Sequence, residues 1–163
     1  MIKITVVAFL VALFITPSHA QDKLNFPIQT LNGDEITPAA LYAKGPVLIT
    51  FWALWCEPCR VELRALQPIF ERYKAQGFSV LAINQDSPKS VSKVRSFVSS
   101  HQLTFDVALD PNGELLQRFN GPSIPFAVLY NSRGVIAFKR IGYLPGDEKH
   151  VEKEIQKLLN SGE

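Results

Sequence analysis

The stretch "VLITFWAL", residues 47–54, is apolar at every position but Thr50 and rich in β-branched and aromatic side chains. Such a run reads as a central strand buried on both faces. Within a few residues it gives way to a helical pattern, expected from Glu57 or Pro58 to Ala75. There Leu63, Leu66, Ile69, Phe70 and Tyr73 recur at helical spacing and Gly77 closes the segment. A strand covered on both sides demands layers above and below it. The turn that leaves it, "WCEPC", holds both cysteines of the chain, Cys56 and Cys59.

The other segments fill in those layers. Two short strand-like pieces flank Asn32-Gly33, a strong hairpin signal, and Gly45-Pro46 is a break. "FSVLAIN" (78–84) reads as a second buried strand. A helix is expected over 87–101, opened by Ser87-Pro88 and striped by Val91, Val94, Phe97 and Val98. A short strand (105–110) and a short helix (112–119) follow. The segments 126–131 and 134–141 form an antiparallel hairpin about Ser132-Arg133-Gly134, and an amphipathic helix (146–160) closes the chain. Helices that alternate with buried strands, ending in a hairpin and a helix, predict an α/β sandwich with a mixed central sheet.

With 163 residues the chain has room for one domain with a full core, and no repeat or linker divides it. Its first twenty residues differ in kind. A basic start ending at Lys3 leads into an apolar segment, Ile4–Thr16, and then to Ser18-His19-Ala20. This is the pattern of a secretory signal peptide, cleaved before Gln21, with residues 21–163 as the working domain. The apolar segment is shorter than the ~20 residues of a membrane-spanning helix, the other reading. The expected location is periplasmic or otherwise extracytoplasmic, where disulfides persist. The formal charge is +2 and no basic stripe carries interleaved aromatics, so nucleic acid is not an expected partner.

Three uses of the cysteine pair compete. A structural zinc needs four ligands. The chain has no third cysteine, and His101 and His150 lie far apart, so no metal is expected. A structural bridge across so short a loop contributes roughly 2 kcal/mol, against roughly 3 for a fifteen-residue loop. A redox pair fits the placement better. Unpaired N–H groups at a helix N-terminus favour a thiolate, the attacking species in thiol–disulfide exchange. Cys56 is then the nucleophile, and Cys59, one turn further in, the resolving thiol.

"FWALWCEPC" resembles the active site of thioredoxin-fold proteins. The Glu-Pro dipeptide, the hairpin "FPIQTLNGDEI", the signal segment and an extra helix–strand unit at about 87–110 resemble the extracytoplasmic TlpA/ResA/CcmG-type branch. The resemblance implies a three-layer thioredoxin-like sandwich with a mixed central sheet, an N-terminal β-hairpin extension and a helix–strand insertion. It implies a thiol–disulfide oxidoreductase that needs no cofactor. Protein disulfides, those of apocytochrome c or a similar target, would be its substrates, a membrane thiol–disulfide protein its electron donor, and the monomer its working form. It also implies a cis-proline loop facing the cysteines. Pro125 in "GPSIPFAVLY" fits, with Ile124 presenting its backbone to the partner and Pro122 as the competing candidate. Trp55, Glu57 and Pro58 complete the expected partner-binding surface, and Trp52 reads as core packing.

Two departures stand out. Thioredoxin keeps a buried Asp beneath its cysteines, and the matching position here is Thr50. Glu62 and Asp86 are the candidate proton acceptors in its place. Each also has a plainer reading, Glu62 as an exposed helix residue and Asp86 as a loop cap. Arg64 stands where many relatives have a proline, which puts the usual kink of the first helix in question. Two other functions remain open. A thiol peroxidase requires a Pro-x-x-x-Thr-x-x-Cys setting that the residues before Cys56 lack. A copper-handling module usually adds a third intervening residue and a distant histidine. Peroxide consumption and copper titration separate these readings.

Overall fold

The computed structural model describes residues 26–162; the expected signal segment lies outside them. The chain opens with a two-stranded antiparallel hairpin, β1 (Ile28–Gln29) and β2 (Glu35–Ile36), turning at Asn32-Gly33. Helix α1 (Pro38–Tyr42) follows, with Thr37 as its cap and Pro38 in its first turn. The sequence reading leaves this helix unassigned because it is a single turn with no amphipathic repeat. Next come β3 (Val47–Trp52), α2 (Glu57–Tyr73) and β4 (Ser79–Asn84). After a one-turn 3-10 segment, α3 (Val91–Ser100) leads to β5 (Asp106–Leu109) and α4 (Glu114–Arg118). The hairpin of β6 (Phe126–Tyr130) and β7 (Ile136–Ile141) precedes the closing helix α5 (Asp147–Ser161).

Five strands form one sheet in the order β5-β4-β3-β6-β7. β3 pairs in parallel with β4, and β4 with β5, whereas β6 and β7 run antiparallel. This is the expected three-layer sandwich with a mixed sheet. Strand β3 lies at its centre and every one of its residues is buried. Side chains alternate across the pleat. Leu48 and Trp52 pack with Leu63 and Leu66 of α2, Phe97 of α3 and Ile155 of α5. Val47, Ile49 and Phe51 pack on the opposite face, with Leu41 and Tyr42 of α1 and with Phe119 after α4.

The expected N-terminal hairpin is attached to the sheet. The Leu31 N–H donates to the Val107 carbonyl at 2.6 Å, and Thr30 bridges to Ala108. It thereby covers the open edge of β5. The expected helix–strand insertion is α3 with β5.

Strand β3 is two residues shorter than the apolar run suggests. After Trp52 the chain leaves the ladder, and the Leu54 N–H turns to the Asp86 carboxylate at 2.7 Å. Helix α2 is continuous through Pro68, a residue the sequence reading passes over. Proline has no N–H, so the Arg64 carbonyl loses its usual partner four residues on. Arg64 and Pro68 are both exposed, where water can serve that carbonyl.

The return from α2 into β4 turns on Gly77, whose φ is +96°. A Cβ at this position would lie 2.0 Å from the Lys44 carbonyl oxygen, at the entry to β3. The two parallel strands therefore start side by side because one residue has no side chain. Gly77→Ala is expected to destabilise the protein by at least ~1–3 kcal/mol, from left-handed backbone strain plus overpacking. A urea midpoint equal to that of the wild type would contradict this account.

Candidate active site

The site begins where β3 ends. Residues 53–55 form a turn closed by the Cys56 N–H on the Ala53 carbonyl at 3.1 Å. The turn is held from β4. Asp86 accepts hydrogen bonds from the Leu54 N–H and, at 2.8 Å, from the Asn84 side-chain amide. Asn84 returns the contact by accepting from the Asp86 N–H at 3.0 Å. Asn84, which the sequence reading does not single out, thus braces the turn that presents Cys56. The structure places Asp86 in this brace.

Cys56 is the N-cap of α2. Its Sγ accepts the Cys59 N–H at 3.3 Å, in the position usually taken by a serine or aspartate oxygen. Pro58 occupies the first turn, where a missing N–H costs nothing. Cys56 and Cys59 are joined as a disulfide with their Cα atoms 5.3 Å apart. Cys59 is fully buried, and Cys56 retains 6% exposure. A partner arriving from solvent therefore meets Cys56 first.

The surroundings divide into an apolar rim and a charged floor. Trp55 is 72% exposed beside Cys56, while Trp52 is buried in the core against Phe97. Glu57 and Pro58 are exposed, and Glu57 pairs with Arg60 one turn along. The Ile124–Pro125 bond is cis, and it is the one cis bond among the described residues, so Pro122 is not the match. Pro125 is buried, and Ile124 packs against the core cluster that contains both cysteines. The Gly142 N–H donates to the Pro125 carbonyl at 2.8 Å. On either side of Gly142, Ile141 and Leu144 are exposed apolar residues that the sequence reading does not pick out. Ile141 is exposed at the end of the edge strand β7 and Leu144 lies in the segment beyond it, neither of which sequence periodicity reveals.

The floor lies under α2. Glu62 is 1% exposed, which excludes its reading as an exposed helix residue. It stands three residues after Cys59 on the same face of α2, a spacing that brings Cβ atoms to about 5–6 Å. The Thr50 hydroxyl donates to Glu62 Oε2 at 2.9 Å, and Arg140 of β7 donates to Oε1. Burial pushes the Glu62 carboxyl above its ordinary range, while the Arg140 charge and the Thr50 hydrogen bond pull it down. A titratable carboxyl behind a buried thiol can accept or return a proton there. Among the described residues, no group of three or more His, Cys, Asp or Glu side chains is placed to hold a metal ion.

With this geometry in view, the chain can be set beside known proteins. The AhpC/TSA family model matches residues 20–139. The thiol–disulfide oxidoreductase ResA of Bacillus subtilis is 31% identical over 73% of this chain, an alignment that takes in 65% of ResA's own length. The thioredoxin-like protein YneN of the same organism is 33% identical over 84% of this chain and 78% of its own. Among solved structures, a secreted Mycobacterium tuberculosis disulfide oxidoreductase homologous to E. coli DsbE superposes with a TM-score of 0.71. It is 25% identical and covers 85% of this chain and all of its own.

The buried carboxyl gives stability a pH signature. Glu62 is raised above 4.5 in the folded protein, chiefly by burial, so the fold retains a proton that the unfolded chain has already released. Its contribution to stability is fully present below the ordinary carboxylate range. It is lost as pH rises through the folded value. The unfolding free energy of the wild type relative to Glu62→Gln should therefore fall as pH rises from the acid side, then level off. Denaturant titrations of both proteins across pH measure this, and a difference independent of pH would count against the raised carboxyl.

Proposed function

The chain belongs to the AhpC/TSA family and has a thioredoxin-like fold, and we propose that it is an extracytoplasmic thiol–disulfide oxidoreductase that reduces protein disulfides through Cys56 and Cys59. The observation that carries this reading is the disulfide at the N-terminus of α2, with Cys56 retaining a sliver of exposure and Cys59 fully enclosed. The signal-like N-terminus and the secreted relative support the location. The expected substrates are disulfides of apocytochrome c or a similar target, and the expected donor is a membrane thiol–disulfide protein.

In the reduced protein, the Cys56 thiolate attacks one sulfur of the partner's disulfide. A mixed disulfide forms and the partner's second sulfur leaves as a thiolate. The helix N-terminus and the Cys59 N–H favour the thiolate on Cys56. Cys59 then gives its proton to Glu62 and attacks Cys56 Sγ. The Cys56–partner bond breaks, and its electron pair leaves on the partner's sulfur. The protein ends as the disulfide and the partner as a dithiol, two electrons having moved. Both partner thiolates take protons from solvent. Trp55, Pro58 and Ile124 supply an apolar surface for the partner's extended segment, the buried cis Pro125 sets the course of the loop that carries Ile124, and Glu57 adds a charge at the rim. Ile141 and Leu144 extend that surface. No nucleic acid, metal or cofactor enters the scheme, and the monomer suffices for it.

The unequal exposure of the sulfurs gives the first test. Cys59→Ser is expected to accumulate mixed disulfides through Cys56 in the native compartment, whereas Cys56→Ser forms none and is inactive. Equal alkylation rates of the two thiols in the reduced wild type would sink the assignment.

The direction of electron flow gives the second. Strong oxidants of this kind stabilise their thiolate. Here the Glu57 carboxylate opposes ionisation of Cys56, although its pairing with half-buried Arg60 softens the effect. The expected potential is nearer the thioredoxin value of about −270 mV than the oxidant value of about −120 mV. Glu57→His should raise it, because a repelling charge is lost and Arg60 is released beside the sulfur. Equilibration in glutathione buffers measures both, and a wild-type value above about −180 mV would make the protein an oxidase or isomerase.

A further inference from the structure

Arg140 sits on β7, an edge strand, yet its side chain turns inward and is only 13% exposed. The sheet register explains how it gets there. Thr50 of β3 lies opposite Ala127 of β6, and Ala127 lies opposite Arg140 of β7. On the other side, Thr50 lies opposite Ala82 of β4. The four residues form one row on the face covered by α2. The alanines flanking Thr50 have side chains too short to fill the space beneath the helix. The guanidinium reaches across Ala127 and meets the Glu62 carboxylate.

The pairing is poorly built for stability alone. Burying two charges costs several kcal/mol per ion, repaid only when the remaining donors are satisfied. Arg140 Nε and Nη1 are buried without a hydrogen bond. The nearest other anion, Asp147 of α5, is 3.7 Å from Nη1, and the Tyr143 ring lies 5.1 Å from Cζ. Asp147 works against ionisation of Glu62. The Tyr143 hydroxyl is engaged with Glu148 at 2.6 Å. Among the described residues Arg140 is thus the cation that faces Glu62, and its guanidinium hydrogen bond goes to that carboxylate.

We propose that Arg140 is a positioning residue for thiol–disulfide exchange: it fixes the Glu62 carboxylate over the row that holds Thr50, one turn along α2 from Cys59, and holds it in the form that can accept the Cys59 proton. This rests on the reading of Glu62 as proton acceptor. When Cys59 attacks the mixed disulfide, its proton passes to Glu62 and its sulfur bonds to Cys56 Sγ. The electron pair of the Cys56–partner bond leaves on the partner's sulfur. Without the guanidinium, the buried carboxyl holds its own proton to higher pH and cannot take another. The cation replaces, from an edge strand, an electrostatic arrangement that Thr50 cannot provide from the centre of the sheet.

The test separates attack by Cys56 from resolution by Cys59. Reduced protein is mixed with dithiobis(nitrobenzoate), whose thiolate is coloured on release. The first release reports attack by Cys56, the second resolution by Cys59. For Arg140→Gln the rate of the second phase relative to the first should fall about tenfold at neutral pH, and its pH midpoint should rise by about a unit. Arg140→Lys keeps the charge and should recover most of the loss. Glu62→Gln should show a loss at least as large, and adding Arg140→Gln to it should change nothing further, because both act through one carboxyl. An Arg140→Gln protein with the wild-type phase ratio and midpoint overturns the proposal while leaving Glu62 as acceptor. An unaltered second phase in Glu62→Gln removes the acceptor and the proposal together. If Arg140→Gln does not fold, Arg140→Lys decides, since a lysine variant with the Arg140→Gln expectation, tenfold slow and shifted, shows that charge does not carry the role.

Discussion

The enclosure of β3 on both faces governs the rest of the molecule. A buried hydroxyl in a strand at the centre of the sheet is costly unless it finds a partner inside the protein. Thr50 is the polar residue of that strand, and its hydroxyl bonds to Glu62. Glu62 is itself buried and needs a cation, and the alanine beside Thr50 lets Arg140 reach it. The polar floor of the site is the consequence of one hydroxyl in the middle of an apolar strand. The same enclosure makes the strand rigid up to Trp52. The turn beyond it, braced by Asn84 and Asp86, then presents Cys56 in a fixed direction.

The AhpC/TSA family model covers residues 20–139, which take in the strand-to-helix handover at Cys56. The N-terminal hairpin and the α3–β5 unit add little to the site directly. They lengthen the sheet and close one of its edges, so that β3 stays central. A central strand gives α2 a broad floor, and its N-terminus then emerges at the end of the sheet where the cis-proline loop also lies.

Much of this was legible in the sequence, and what was not has physical reasons. The strands and longer helices announce themselves through apolar period, and their ends differ from expectation by a residue or two where backbone groups change partners, as at Leu54, and by four at the start of α3, where a 3-10 turn over Pro88–Ser90 comes first. The cysteine pair and the proline were readable because their chemistry is local. Glu62 carried a usable signal, since it lies on the helical stripe formed by Cys59, Leu63 and Leu66, where an exposed residue is out of place. Arg140 carried none. Its inward turn depends on the register of three strands and on a small residue at Ala127, and pairwise register is a property of the folded sheet. Helix α1 went unread for another reason, being one turn held by its Thr37 cap with no second turn to repeat the pattern.

The cap of α2 is a sulfur, and in the proposed reaction the same sulfur is the site of covalent exchange. One backbone amide, that of Cys59, is hydrogen-bonded to this sulfur in the disulfide, and the proposed cycle would take the same atom through thiolate and mixed disulfide. A sulfur bearing full charge accepts that hydrogen bond more strongly than a neutral one. The amide resonance of Cys59 is thus a built-in reporter of oxidation state, placed so that no label need be added near the site. Under the proposed cycle its shift would follow each covalent form of the protein, and the first turn of the helix would register the same change as a difference in how firmly it is held.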